Sequence, residues 1–236
     1  LSIAYGVDDM VLDYDMTPGS ASTSKSPMLR LNELLGAMLG EEEITVFDPL
    51  QVTKTEETNC KGPSTIAGHS KYEPSDSSQS ASVTYHFTAQ RSGEAFFYMP
   101  SDYNRRISIT ANGKSYGTNE YCRIMSIGFY SEGEEIKVNV KLESDVLYVK
   151  NNVDIVYMLD KPEFENAISR LAQTQVDIRG DWSSDYLPGT VTTTKNDQLI
   201  LPTTPYDKGW KITVDGEEVE TQETLDALVG FEIKDA

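Results

Sequence analysis

The chain has 236 residues, with 20 Lys plus Arg against 38 Asp plus Glu and a formal net charge of −18 at pH 7. Such a charge repels phosphate backbones and anionic lipid headgroups, so nucleic-acid binding is the least expected function and the acidity reads as a solvated outer surface. A hydrophobic content of 38% supports a core, as one large β domain or two smaller ones, and no window approaches the ~18 consecutive apolar residues of a membrane helix.

In chain order, a short strand around Leu1–Tyr5 precedes an acidic loop. A helix follows: Ser26 can cap it, Pro27 suits its first position, and Met28, Leu31, Leu34, Leu35, Met38 and Leu39 recur at helical spacing before Gly40. Its broad apolar stripe predicts packing against the edge or end of a sheet, with a partner groove as the alternative.

From about Ile44 to Leu159 the pattern is strands. Val83, Tyr85 and Phe87 alternate with polar residues; Glu94–Met99 and Ile107–Thr110 follow, and Asn112-Gly113 turns into Ser115-Tyr116. Ile124–Tyr130, Ile136–Leu142, Val146–Val149 and Val153–Leu159 complete a set of about eight, which predicts a β-sandwich with the jelly roll as one form. Tyr72–Ser82 is polar and predicts a mobile surface loop.

A second helix starts near Asp160 with Pro162 in its first turn and Phe164, Ala167, Ile168 and Leu171 on one face. Val176–Ile178, Thr190–Thr194 and Gln198–Leu201 then lead to the hairpin Tyr206–Glu217, where Asp215-Gly216 supplies the φ > 0 pair of a two-residue turn. That turn sets Val214 opposite Glu217, Ile212 opposite Val219 and Trp210 opposite Thr221, so Trp210, Ile212, Val214 and Val219 form the expected buried face. The fold expected is mainly β: residues 1–43 as strand and amphipathic helix, a sandwich over 44–159, a linking helix over 160–173, and a smaller β-hairpin domain over 174–236, truncated at its C-terminal end. Leu1 follows no leader, and Phe231–Ala236 stops within a strand pattern, so both ends read as cut from a longer polypeptide.

Chemistry is sparse. Cys60 and Cys122 show no zinc spacing; they are read as isolated packed thiols, or as one disulfide worth ~4 kcal/mol outside the cytoplasm. His69 lies in a Gly-rich loop and His86 on the polar face of a strand, with no nucleophile elbow nearby, and no phosphate-cradling Gly motif appears. Asp13-Tyr14-Asp15 resembles a metal-holding acidic motif but lies in a loop, and Asp8-Asp9 reads as an ordinary turn, with a calcium site as the alternative. No catalytic residue, cofactor or metal is expected. The candidates left for a ligand are Trp182 and Tyr186 in one loop and Tyr206 and Asp207 before Trp210, since sugar rings dock on aromatic planes while carboxylates take hydroxyls.

Two segments carry a family resemblance. Tyr206-Asp207-Lys208-Gly209-Trp210-Lys211-Ile212-Thr213-Val214-Asp215-Gly216-Glu217 closely resembles a segment of the bacterial YfhO family. Tyr5-Gly6-Val7-Asp8-Asp9, Ser26-Pro27 and Asn32-Glu33-Leu34-Leu35 through Leu39-Gly40 are similar to that family's strand-then-helix passage. The resemblance implies an extracytoplasmic domain of a polytopic membrane protein similar to C-type glycosyltransferases, some implicated in adding sugars to lipoteichoic acid. It implies the membrane portion of the same polypeptide as partner, a cell-envelope glycan or lipid-linked sugar as ligand, and a catalytic acid on an earlier loop outside this chain. An independent carbohydrate-binding or adhesion module is the alternative; a secreted glycan hydrolase requires a carboxylate-lined cleft.

Overall fold

The computed structural model describes residues 4–15, 26–101, 103, 106–120, 123–142, 146–180, 183 and 186–234. Its elements are β1 (Ala4–Val7), a 3-10 helix (Asp9–Asp13), α1 (Pro27–Leu39), β2 (Phe47–Pro49), β3 (Lys54–Thr58), β4 (Cys60–Ile66), β5 (His69–Pro74), β6 (Ser82–Thr88) and β7 (Gly93–Phe97). Then come β8 (Arg106–Ala111), β9 (Lys114–Glu120), β10 (Met125–Tyr130), β11 (Glu135–Lys141), β12 (Leu147–Lys150), β13 (Val156–Leu159) and α2 (Lys161–Ala172). The chain closes with β14 (Asp177–Ile178), β15 (Gly189–Thr190), β16 (Gln198–Pro202), β17 (Ile212–Val214), β18 (Glu217–Val219), β19 (Thr221–Thr224) and β20 (Leu228–Ile233). The fold is mainly β, in two compact units: one of Phe47–Lys161 with the start of α1, the other of the N-terminal segment through Val46 and everything from Pro162 onward.

The central unit is a sandwich. One sheet has the order β10-β7-β13-β2 and the other β3-β6-β11-β8-β9, with every pairing antiparallel. Leaving out β3 at its edge, β2-β13-β7-β10 over β6-β11-β8-β9 is the strand order of a jelly roll. Strand alternation creates the core: Val83, Tyr85 and Phe87 from β6, Ile136, Val138 and Val140 from β11, and Ile107 and Ile109 from β8 meet Ala95, Phe97, Val156 and Met158 from the facing sheet. Register brings Val138 opposite Tyr85 and Val140 opposite both Val83 and Ile109. Removing one such fully buried ring as Phe97→Ala would cost about 3–5 kcal/mol. Arg91 bridges Asp48 of β2 and Asp160 beyond β13.

A third sheet, β12-β5-β4, lies in the same unit. β5 corrects the expected Tyr72–Ser82 loop: the strand runs through Tyr72 to Pro74 with Tyr72 6% exposed, only residues 75–81 before β6 are loop, and Ala81 among them is 4% exposed. Strands β3 and β4 are exposed along nearly their whole length, so no alternation marks them in the sequence.

In the other unit β1 pairs with β16, which pairs on its far side with β20, and β19 completes the sheet. β16 is buried at every residue, as a central strand requires. Helix α1 ends at Gly40 in a Schellman motif: Glu41 N–H donates to Gly36 O at 2.9 Å and Gly40 N–H to Ala37 O at 3.4 Å. Buried Asn32 accepts Val46 N–H at 3.0 Å, fixing the chain that returns along the helix. In α2, Ala167 and Leu171 are buried, but Ile168 is 41% exposed, so the apolar face is narrower than its spacing predicts.

Candidate functional site

The expected ligand residues lie on two segments, one around Tyr186 and one around Tyr206. Trp182 lies outside the described residues, as does Cys122. Tyr186 is 60% exposed, on the connection between the paired strands β14 and β15, where its carbonyl accepts Ser183 N–H at 2.8 Å. Tyr206 is half-buried, its N–H donating to Ala227 O at 2.8 Å. The Asp207 carboxylate is engaged in a turn: Oδ1 accepts Gly209 N–H at 2.7 Å and the main-chain oxygen accepts Trp210 N–H at 3.1 Å.

Trp210 corrects a second expectation. The hairpin has the expected register, Ile212 opposite Val219 and Val214 opposite Glu217, and all three apolar residues are half-buried. Trp210 precedes β17, is 37% exposed, and spends its indole N–H on Pro205 O at 3.0 Å. The turn Asp207–Trp210 takes it out of the strand, so alternation does not govern its side chain.

Asp8 caps the 3-10 helix, its Oδ1 accepting Met10 N–H at 3.1 Å, while Oδ2 accepts Lys195 Nζ at 2.7 Å. The Lys195 contact holds the Asp8 carboxyl below its ordinary value against the opposing effect of burial. This pair stands on a cleft of about 250 Å3 that Arg170, Thr174, Thr194 and Gln198 also line. Gln198 and Thr174 are buried and already committed: Gln198 Nε2 donates to Val7 O at 2.6 Å, and Thr174 Oγ1 to Gly6 O at 2.7 Å. The cleft can hold a polar molecule.

Tyr14 of the acidic motif donates its hydroxyl to Arg30 O at 2.9 Å, and no cluster of three His, Cys, Asp or Glu arranged for a metal occurs among the described residues. Cys60 has a free thiol whose pKa burial pushes up. His86 lies on the polar face of β6, is 4% exposed, and sits between two carboxylates, Nδ1 at 2.8 Å from Glu135 Oε1 and Nε2 at 3.3 Å from Glu56 Oε2.

An aromatic group that the sequence does not single out forms on the third sheet of the jelly-roll unit. Leu147 and Tyr72 pair across β12 and β5 and point into the core, so the next pair, Tyr148 and Lys71, faces outward. Tyr103 lies over this face, 4.6 Å from Tyr148 between ring centroids and tilted 35°, and 5.0 Å from His69 edge to face. The only signal for it is tyrosine content, because 34 residues of separation between Tyr103 and His69 hide the contact.

A family model described as bacterial membrane protein YfhO matches residues 2–236, and no curated protein matches the chain. Among the described residues no helix is long and apolar enough to cross a membrane.

Proposed function

The chain belongs to the YfhO family of bacterial membrane proteins, and on that premise we propose that it is a non-catalytic extracytoplasmic domain that presents a cell-envelope glycan or lipid-linked sugar to the membrane portion of its own polypeptide. The observation that carries this reading is the jelly-roll strand order of residues 47–161, an architecture used by lectin domains, taken as an analogy of fold. The net charge of −18 agrees with it, since an acidic surface is repelled by anionic headgroups and stands off the bilayer it is tied to. In the reading proposed, the reaction that the domain serves is the glycosylation of lipoteichoic acid.

The test uses the full-length protein in intact bacteria. Ser77 is exposed on the jelly-roll unit, so Ser77→Cys, in a full-length background in which every native cysteine, Cys60 and Cys122 included, is replaced by Ser, supplies a single surface thiol. Labelling by a membrane-impermeant maleimide before lysis is expected; labelling only after lysis overturns the placement. Loss of envelope sugar on deleting the region, with the membrane portion still inserted, is the expected functional result.

A further inference from the structure

We propose that the outer face of the β12-β5-β4 sheet is a binding platform for a neutral pyranose-containing glycan, with Tyr103 and Tyr148 as the stacking surface and His69 Nε2 as an acceptor for a sugar hydroxyl. The proposal rests on the glycan-presenting reading above and gives it a place on the molecule.

Three observations converge there. Tyr103 is 49% exposed, so about half of its surface stays in water while the rest packs on Tyr148 and His69, and with Tyr148 it makes a tilted aromatic pair of the kind that receives the C–H face of a sugar. Ile66 lies opposite His69 on the neighbouring strand and is 47% exposed, so the apolar surface continues past the rings. His69 is 2% exposed and its Nε2 has no hydrogen-bond partner among the described residues, while Nδ1 lies 3.0 Å from Ala67 O. A carbonyl at Nδ1 requires the proton to be on that nitrogen, which leaves Nε2 as a lone pair without a donor. A buried acceptor left empty is costly, and a sugar hydroxyl that reaches in beside the edge of the Tyr103 ring, while that ring and Tyr148 carry the sugar face, fills it.

The chemistry favours a neutral ligand. Lys71 on this face is matched by Glu73 at 2.9 Å, Lys150 opposite His69 adds a donor for hydroxyls, and the chain as a whole, with its net charge of −18, repels polyanions.

The purified chain is titrated with neutral oligosaccharides of glucose, galactose and N-acetylglucosamine, first on an array and then by calorimetry. Binding to at least one of these is expected. Tyr103→Ala should weaken it roughly tenfold or more with an unchanged Tm, because the ring is half in solvent. His69→Phe keeps an aromatic ring and loses the acceptor, and should cost roughly five- to tenfold. Tyr186→Ala and Trp210→Ala should bind as wild type. Three results overturn the platform: no neutral glycan bound, binding untouched by Tyr103→Ala in a folded protein, or binding confined to an anionic polymer or a peptide. None of them bears on the maleimide result, so failure of the platform and failure of the extracytoplasmic placement are told apart.

Discussion

The Tyr116 hydroxyl on β9 fits against the backbone of Gly128 on β10: a Cβ built at Gly128 would lie 2.9 Å from it. The ladder between β10 and β7 shifts between Ser126 and Gly128, leaving Ile127 as the extra residue of a bulge, with Gly128 at φ +108. Tyr116 and Tyr130 both donate their hydroxyls to Ile127 O, Tyr130 at 2.9 Å, and burial first and Tyr116 second push the Tyr130 pKa up to about 12. Two side chains thus satisfy a carbonyl within the disrupted part of the ladder, and Gly128 leaves room for one of them. Gly128→Ala should destabilise by about 1–3 kcal/mol. In a Tyr116→Phe background the same change should cost about 1 kcal/mol less, because no hydroxyl then has to move. Denaturant melts of the four proteins measure this, and equal costs in both backgrounds would show that the two positions are uncoupled.

Gly216→Val should destabilise by roughly 1–3 kcal/mol, since Asp215 at φ +51 and Gly216 at φ +91 make a type I′ turn in which a β-branched residue clashes with its own backbone. Space is not the cause, because nothing lies within 4 Å of an added Cβ. Thermal melts decide it, and an unchanged Tm would refute the turn.

Trp210→Ala should cost about 1–2 kcal/mol, below the 3–5 of a core ring, because the indole is partly in solvent and its main fixed contact is one hydrogen bond to Pro205 O. Trp210→Phe, which keeps the ring area and loses the N–H, should recover part of that loss in the same melts.

Glu135 is held below its ordinary carboxyl value of 4.5, first by its contact with His86 and then by Lys137; Glu56 is lowered first by Lys54 and then by His86. A depressed carboxyl contributes stability that is fully present above the unfolded value and is lost as pH falls through the lower folded one. The Tm difference between wild type and Glu135→Gln should therefore be largest at pH 5–7 and shrink as pH drops below about 4.5. Taking the difference removes the general relief of self-repulsion that protonation brings to so acidic a chain. A gap that stays constant down to pH 3 would show that the Glu135 charge contributes nothing.

The sequence by itself determined the elements whose signals are local. Period-two alternation in Val83-Tyr85-Phe87 and Ile136-Val138-Val140, the Asn112-Gly113 and Asp215-Gly216 turns, and the helix from Pro27 to Gly40 are consequences of each residue's own backbone preference and of one buried face. Strands β3 and β4 escaped because both their faces meet water, so pairing with a neighbour holds them extended and no pattern records it. Trp210 was misplaced for a related reason: the Asx turn at Asp207 delays the strand until Ile212, two residues past Trp210, and a side chain outside a strand does not obey its alternation. Tertiary structure alone decided which strands became neighbours, where the bulge at Ile127 put its carbonyl, and that Tyr103, Tyr148 and His69 share a surface. The contacts at the bulge and on that surface join residues 11 to 45 positions apart, and a sequence carries the chemistry of such residues without the distances that turn it into a site.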